Sequence, residues 1–104
     1  MAGYDEYSPE LARCLAENLF IIRRRAGFSQ EELAALSGLH RTEIGNLERG
    51  VRLARIDTVV KLAGALEIAP GDLLEGMAWL PPAPSGENPR GKFVMRRGSA
   101  LGDD

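Results

Sequence analysis

The chain has 104 residues, of which 44% are hydrophobic and 27% charged, and its formal net charge is -2. These values are typical of one globular domain and exclude a disordered or fibrous chain. Leu and Ala dominate the periodic segments, so we expect an all-α fold. No apolar run approaches the roughly 18 residues of a membrane span, and the first residues lack a secretion signal. We therefore expect a cytoplasmic protein with no membrane partner.

Charge is distributed unevenly along the chain. Residues 23–61 carry eight Lys or Arg against five acids, a net charge of +3, whereas residues 1–22 and 62–104 carry -3 and -2. A basic middle segment between acidic ends is typical of a nucleic-acid surface, although solvated side chains can also be scattered in this way. The motifs within the basic segment decide between these two interpretations.

The first predicted helix begins at Ser8, whose hydroxyl can cap the first turn, and Pro9 suits the first helical position. Gly27 ends this helix. Its apolar residues recur at spacings of three and four, which predicts one buried stripe. The stripe consists of Leu11, Leu15, Leu19, Ile22 and Ala26.

The second predicted helix begins after Ser29, which can form a capping box with Glu32. It ends at residues 37–38. Its predicted buried side consists of Leu33, Ala34 and Leu36.

Three further helices are predicted after the second. The third runs from about residue 40 or 41 to Arg49, before Gly50, and the fourth covers about residues 56–66. A short fifth helix covers residues 71–76 after Pro70. The predicted inward side chains are Ile44 and Leu47 in the third helix, Ile56, Val59, Val60, Ala63 and Leu66 in the fourth, and Leu73 and Leu74 in the fifth.

The composition changes after residue 77. Residues 78–104 are rich in Pro and Gly and lack periodicity, which predicts an irregular tail with a short strand at 92–96. We therefore divide the chain into an N-terminal extension (1–8), a five-helix domain (9–77) and this C-terminal tail.

Five positions of the second and third helices follow the pattern Q-x3-A-x3-G-x5-I-x2-L, starting at Gln30. The small side chain of Ala34 lets the two helices cross closely, and Gly38 permits a positive φ in the turn between them. Ile44 and Leu47 would fix the third helix against the first and fourth. This pattern predicts a helix-turn-helix, which presents the N-terminal end of its second helix outward.

The outward face of the third helix would carry Arg41, Thr42, Glu43 and Asn46, with His40 at its start. An Arg can bond a guanine edge at two points, Thr can bond a base or touch a thymine methyl group, and Asn suits adenine. His40 would be a helix cap or a phosphate neighbour. These side chains predict a surface that binds double-stranded DNA.

Three residues outside this face are predicted to contact phosphates. Gln30 would use its amide at the start of the second helix, where the helix dipole also favours an anion. Arg52 and Arg55 lie in the basic loop after the third helix. Such contacts fix the register on DNA and make the affinity salt-dependent.

Residues from about 18 to 75 resemble the helix-turn-helix domain of the phage-repressor and Xre type, a five-helix bundle of bacterial transcription regulators. The strings GFSQEELAALSGLHRTEIGNLERG and IDTVVKLAGALEIAPGDLLEG carry this resemblance. Within that family, LHRTEIGNLERG is most similar to the small controller proteins of restriction-modification systems. In those proteins the residue before the Arg-Thr pair is commonly acidic, whereas this chain has His40.

The resemblance implies a structural ion pair between Arg23 in the first helix and Glu48 in the third. It also implies a sequence-specific repressor or autoregulator. One recognition helix reads few base pairs, so we expect a homodimer on an inverted-repeat operator. Trp79 would form a lid on the bundle or part of the dimer contact. The residues expected in that contact are Leu66, Ile68, Leu73, Leu74 and Trp79.

Two other classes of function stay open. The domain would serve equally as a protein-interaction module, such as an antitoxin or adaptor. A ligand-sensing regulator would need a pocket from the tail, which has few apolar residues, so no small-molecule ligand is expected. The chain shows no nucleophile triad or phosphate loop, and one His and one Cys are too few for a metal site. We expect no enzyme activity, cofactor or metal.

Overall fold

The first helix, α1, covers Pro9–Ala26. The hydroxyl of Ser8 caps it by accepting a hydrogen bond from the amide of Leu11 at 3.2 Å, and Gly27 ends it with a φ of 83°. Both ends lie where the sequence predicts them. The computed structural model describes residues 8–96, so most of the N-terminal extension and residues 97–104 lie outside the described residues.

Four more helices and two strands follow α1 in the described part of the chain. Ser29 and Glu32 form the predicted capping box at the start of the second helix. The fold class is confirmed, because all five predicted helices are present, although the fifth is shorter than expected. The elements are α2 Gln30–Ser37, α3 Arg41–Glu48, α4 Ile56–Leu66, α5 Pro70–Leu73, β1 Met77–Leu80 and β2 Lys92–Met95.

One aliphatic core joins the five helices. Helix α1 packs against α3, α4 and α5, while α2 packs against α3 and α4. The burial of large aliphatic side chains is the main favourable contribution to such a fold. The largest fully buried apolar residues are Leu15, Leu19, Leu33, Ile44, Leu47, Leu62 and Leu73.

Several apolar residues that the sequence assigns to the core are instead exposed. Leu36 on α2 is 58% exposed, and Ile56 and Val60 on α4 are 78% and 52% exposed. Successive helical residues differ by about 100° in direction, so only one of Val59 and Val60 can face the core. Helix α4 uses Val59 together with Leu62, which is fully buried and was not predicted. Ala26 and Leu74, both predicted inward, are exposed as well.

The C-terminal strands form an antiparallel hairpin in which Trp79 lies opposite Phe93. The rings of these two residues meet edge to face, with their centroids 4.9 Å apart. The strand predicted at 92–96 is therefore present, as Lys92–Met95. Its partner strand, Met77–Leu80, was not predicted, because a four-residue apolar run without alternation carries no clear strand signal. Strand β2 packs against α1.

Asn18 connects α1 to the base of the hairpin. Its side chain is fully buried, and its amide nitrogen donates to the carbonyl oxygens of Leu73 and Glu75, both at 2.9 Å. The thiol of Cys14 donates to the same Glu75 carbonyl at 3.4 Å. Two polar side chains of α1 thus satisfy the carbonyl groups where α5 ends and β1 approaches.

Replacing Gly91 with alanine should disturb the packing around Trp79, the single tryptophan of the chain. Gly91 has a φ of 76°, and a β-carbon there would overlap the Trp79 ring and lie 2.9 Å from the Leu80 carbonyl oxygen. We expect the Trp79 fluorescence to move to longer wavelength as the ring gains contact with water.

The matched control for this change is Gly86→Ala. Gly86 lies in the same connection with a φ of 85°, but no atom lies within 4 Å of an added β-carbon. Both variants carry the backbone cost of a left-handed residue, about 1 to 2 kcal/mol, but only Gly91→Ala adds the overlap. Identical emission spectra for the two variants would contradict the described hairpin.

Candidate nucleic-acid interface

The turn between α2 and α3 sets the direction of α3. Gly38 has a φ of 76°, and its amide and that of Leu39 both donate to the carbonyl of Ala34, at 3.0 and 3.2 Å. Ile44 and Leu47 are at most 1% exposed and fix the inner side of α3. The opposite side of α3 therefore remains at the surface, as a helix-turn-helix requires.

The outward side of α3 begins with a histidine cap. The Nδ1 atom of His40 accepts a hydrogen bond from the amide of Thr42 at 3.0 Å. In the neutral ring the proton then lies on Nε2, which remains a donor. Arg41 and Thr42 are exposed, and Glu43 and Asn46 are partly exposed. The structure thus brings all the predicted base-reading residues to the accessible side of one short helix.

Arg41 forms an ion pair across the turn with Glu31 on α2. Its Nε lies 3.1 Å from the Glu31 carboxylate, and the two side chains are 56% and 70% exposed. An exposed pair of this kind contributes little to stability. Because the bond uses Nε, it does not involve the two terminal nitrogens of the guanidinium. The pair therefore restricts Arg41 in direction while leaving donors for a base edge.

A buried polar network joins α1 to the end of α3. Arg23 binds the carboxylate of Glu48 through two nitrogens, at 2.6 and 2.9 Å, and donates to the Phe28 carbonyl at 2.7 Å. This is the ion pair that the resemblance implies, and its side chains are only 8% and 5% exposed. The hydrogen bond to Glu48 raises the pKa of Arg23. The pair therefore holds the end of α3 against α1.

Gln30 belongs to the same network. Its amide nitrogen donates to Glu48 at 2.9 Å, and the residue is half-buried. Sequence reasoning assigned this amide to a phosphate. In the structure one N–H of the amide is engaged inward, so its second N–H is the donor that can reach an anion.

Arg49 is an exposed cation that sequence reasoning did not include in the surface. It follows α3 directly, and its guanidinium donates to the side-chain oxygen of Asn46. It also lies close to Gly45, where an added β-carbon would be 3.3 Å from Nη1. Arg49 lies three residues after Asn46 and seven after Thr42. This helical spacing is the signal that would have placed Arg49 on the outward side of α3.

The two arginines predicted in the following loop are both at the surface. Arg52 is exposed. Arg55 is 85% exposed in its side chain and lies 3.3 Å from the carboxylate of Asp57. Arg41, Arg49, Arg52 and Arg55 are thus all exposed, which agrees with the positive charge of residues 23–61.

The residues predicted for a dimer contact do not share one surface. Leu66 and Leu73 are 7% and 0% exposed, so they belong to the core of the protomer and cannot reach a second copy. Ile68 is half-buried, and Leu74 and Trp79 are exposed. Ile56 and Val60, which the sequence assigned inward, are exposed as well.

Residues 8–96 contain neither a metal-binding cluster nor a membrane-spanning helix. No three His, Cys, Asp or Glu side chains gather there in a way that would hold a metal ion. None of the helices in that range combines the length and apolar character needed to cross a bilayer.

The fold, with the outer side of α3 at the surface, is that of a helix-turn-helix, DNA-binding regulator of transcription. The helix-turn-helix family model HTH_3 matches residues 19–73, more than half of the chain. The chain belongs to this family.

Its relatives include two proteins named as control proteins. Control protein C.SmaI of Serratia marcescens is 43% identical over 65 residues, which cover 62% of this chain and 77% of that protein. Control protein C.BamHI of Bacillus amyloliquefaciens is 43% identical over 51 residues, covering 49% of this chain and 63% of that protein. These similarities confirm the resemblance that the sequence predicts.

Solved structures show the same likeness. The restriction-modification controller protein C.AhdI from Aeromonas hydrophila matches with 42% identity and a TM-score of 0.58, covering 60% of this chain and 94% of that one. A hypothetical transcription factor from Neisseria matches with 37% identity and a TM-score of 0.59, covering 68% of this chain and 84% of that one. The helical part of the chain accordingly has the fold of a controller protein.

Proposed function

We propose that the protein binds an inverted-repeat operator as a homodimer and regulates transcription from it. The observation that carries this proposal is the outward side of α3, where Arg41, Thr42 and Asn46 are accessible and polar while Ile44 and Leu47 hold the helix from behind. A helix exposed in this way fits the major groove, whose base edges offer the hydrogen-bonding groups that these side chains recognise. Helix α3 would read bases with its N-terminal residues.

Phosphate contacts would flank this helix on both sides. Gln30 lies at the start of α2, where the backbone amides and the helix dipole favour an anion. Arg52 and Arg55 lie in the loop after α3, and both are exposed. Each neutralised phosphate adds to the dependence of binding on salt, so the affinity should fall steeply between low and physiological ionic strength.

The homodimer would use an apolar groove between the start of α4 and the region after α5. Ile56, Val60 and Leu74 are 78%, 52% and 41% exposed and line one groove together with Leu53 and Met77. Exposed aliphatic side chains that share one surface favour burial against a partner. Two copies joined here would present two recognition helices, and operators read by such dimers have half-sites about 34 Å apart.

Val60→Glu should convert the dimer to a monomer. A charge placed in an apolar contact loses its hydration without gaining a partner, so we expect the mass measured by sedimentation equilibrium to halve at micromolar concentration. Val51→Glu is the matched control, because Val51 is 55% exposed and lies outside this groove. A dimer that persists in Val60→Glu would place the contact elsewhere.

The sharpest test of base reading compares two arginines after an operator has been selected from random duplex DNA. Arg41→Ala should weaken operator binding by about 1 to 3 kcal/mol and relax the preference at one base pair, while leaving binding to random DNA almost unchanged. Arg52→Ala should weaken binding to both DNAs alike and reduce the salt slope. Affinities measured by fluorescence anisotropy at several salt concentrations separate the two.

Two results would contradict the proposal. Equal losses on operator and random DNA for Arg41→Ala would show that this residue does not read bases. Failure to enrich any sequence from the random pool would favour the alternative function, a protein-interaction module such as an antitoxin or adaptor.

The similarity to C.AhdI supports a more specific role. Since that protein is a restriction-modification controller, we propose that the operator of this protein lies upstream of restriction-modification genes. The operator sequence recovered from the random pool would be searched for in front of such genes. No catalytic step is part of the proposed function.

A further inference from the structure

The contact between Arg49 and Asn46 changes what Asn46 can recognise. An isolated asparagine side chain offers one acceptor and one donor side by side, which matches the donor and acceptor of adenine in the major groove. In this protein the acceptor is already in use, because the guanidinium of Arg49 donates to Oδ1 of Asn46. What Asn46 still presents to a ligand is chiefly its N–H group.

The local structure favours this contact. Gly45 has no side chain, so the guanidinium of Arg49 can lie close to α3, with Nη1 only 3.3 Å from where a β-carbon would stand. The neighbouring carboxylate of Glu48 is engaged by Arg23 and Gln30. Asn46 therefore supplies an acceptor on the surface that Arg49 can reach from the end of the helix.

We propose that Asn46 and Arg49 form a donor-only recognition unit that selects guanine rather than adenine at one position of each half-site. Guanine presents two acceptors, O6 and N7, in the major groove, whereas adenine presents one acceptor and one donor. The unit offers the Asn46 N–H and the remaining N–H groups of Arg49, so it matches two acceptors. This inference rests on the proposed function, because it assumes that α3 enters the major groove.

Adenine is disfavoured for two reasons. The Oδ1 atom keeps a second lone pair, but an adenine amino group that used it would approach the N–H groups of the bound guanidinium. Donors would then face donors, and the positive charge of Arg49 favours the electron-rich edge of guanine. The pair of residues thus reverses the preference that Asn46 alone would have.

The test uses the full chain and the operator selected from random duplexes. Asn46→Ala first identifies the base pair that this residue reads, as the position where its preference is lost. Duplexes carrying guanine or adenine at that position are then compared for the wild type, Arg49→Met and Gly45→Ala. Methionine keeps an unbranched apolar stem without donors, and the β-carbon of alanine, 3.3 Å from Nη1, requires the guanidinium to shift by a few tenths of an ångström.

We expect the wild type to bind the guanine duplex roughly tenfold more tightly, within the range of one base-edge contact. Arg49→Met should lose this preference or turn it toward adenine, since Oδ1 becomes available, whereas Gly45→Ala, which only shifts the guanidinium, should reduce the preference by less. Arg52→Met is the matched control and should weaken both duplexes equally. Circular dichroism would verify that each variant is folded.

Three outcomes would overturn the inference. They are a wild-type preference for adenine at the identified position, a guanine preference that Arg49→Met leaves unchanged with no loss of affinity, and equal weakening of both duplexes by Arg49→Met, which would make Arg49 a phosphate contact. Each of them leaves an enriched operator in place. The absence of any enriched operator would instead contradict the proposed function itself.

Discussion

Replacing Glu48 with alanine should lower the free energy of unfolding by about 3 to 5 kcal/mol, the cost of leaving a buried charge without its partner. Arg23 would keep its hydrogen bond to Phe28 but lose both bonds to the Glu48 carboxylate. Its guanidinium would remain in a site where the side chain is only 8% exposed. Urea denaturation followed by circular dichroism would measure the change.

Two further variants show whether burial is the cause. Glu43→Ala lies on the same helix and is partly exposed, so it should change stability by less than about 0.5 kcal/mol. Replacing both partners, Arg23→Met with Glu48→Leu, should recover much of the loss, because no unpaired charge remains. A double variant as unstable as Glu48→Ala would point to lost packing instead of a desolvated charge.

Leu62→Ala should lower the free energy of unfolding by about 2 to 5 kcal/mol, as expected for a large core residue that leaves a cavity. Leu62 is fully buried and belongs to the cluster that joins α4 to α1, α2 and α3. Thermal and urea denaturation would both report the loss. The m-value should stay unchanged if the variant still unfolds in one step.

Leu36→Ala provides a control with the same change of side chain. Leu36 is 58% exposed on α2, so its loss removes little buried surface and should cost no more than about 0.5 kcal/mol. Similar losses for Leu36→Ala and Leu62→Ala would contradict the assignment of α4 to the core through Leu62.

The positions of the helices were predictable because their ends carry local signals. Ser8, Ser29 and Gly38 act through hydrogen bonds or φ values that involve only neighbouring residues, so the sequence alone contains them. Local signals do not determine which apolar residue faces the core. Val59 and Val60 are chemically identical, and only the packing of α4 against the other helices decides that Val59 is buried and Val60 exposed.

The exposed residues of α3 were predictable, but the bonds that their side chains form were not. The pattern around Gly38 predicts which side of α3 is outward, and His40, Arg41 and Thr42 are exposed there. The bond between Arg41 and Glu31 depends on how α2 crosses α3, which is set by long-range packing. The bond between Arg49 and Asn46 depends on the rotamers of the two side chains. Their spacing in the sequence shows only that the side chains are close enough to meet.

The hairpin was predicted only in part, since strand pairing joins residues distant in sequence. Lys92–Met95 contains three consecutive apolar residues, but 11 residues, 81–91, separate it from the partner strand Met77–Leu80. Four prolines occupy the segment after residue 80, and proline is a signal for irregular structure. The pairing of the strands also includes a hydrogen bond from the amide of Arg96 to the carbonyl oxygen of Gly76, at 2.6 Å.

Asn18 joins α1 to the connection that leads from α5 into the hairpin. Its amide binds the carbonyl groups of Leu73 and Glu75, so this connection cannot separate from α1 without leaving the amide and both carbonyl groups unpaired. A carboxylate at this fully buried position would face those oxygens, and leucine would leave them unpaired. The hairpin is therefore expected to fold together with the bundle rather than after it.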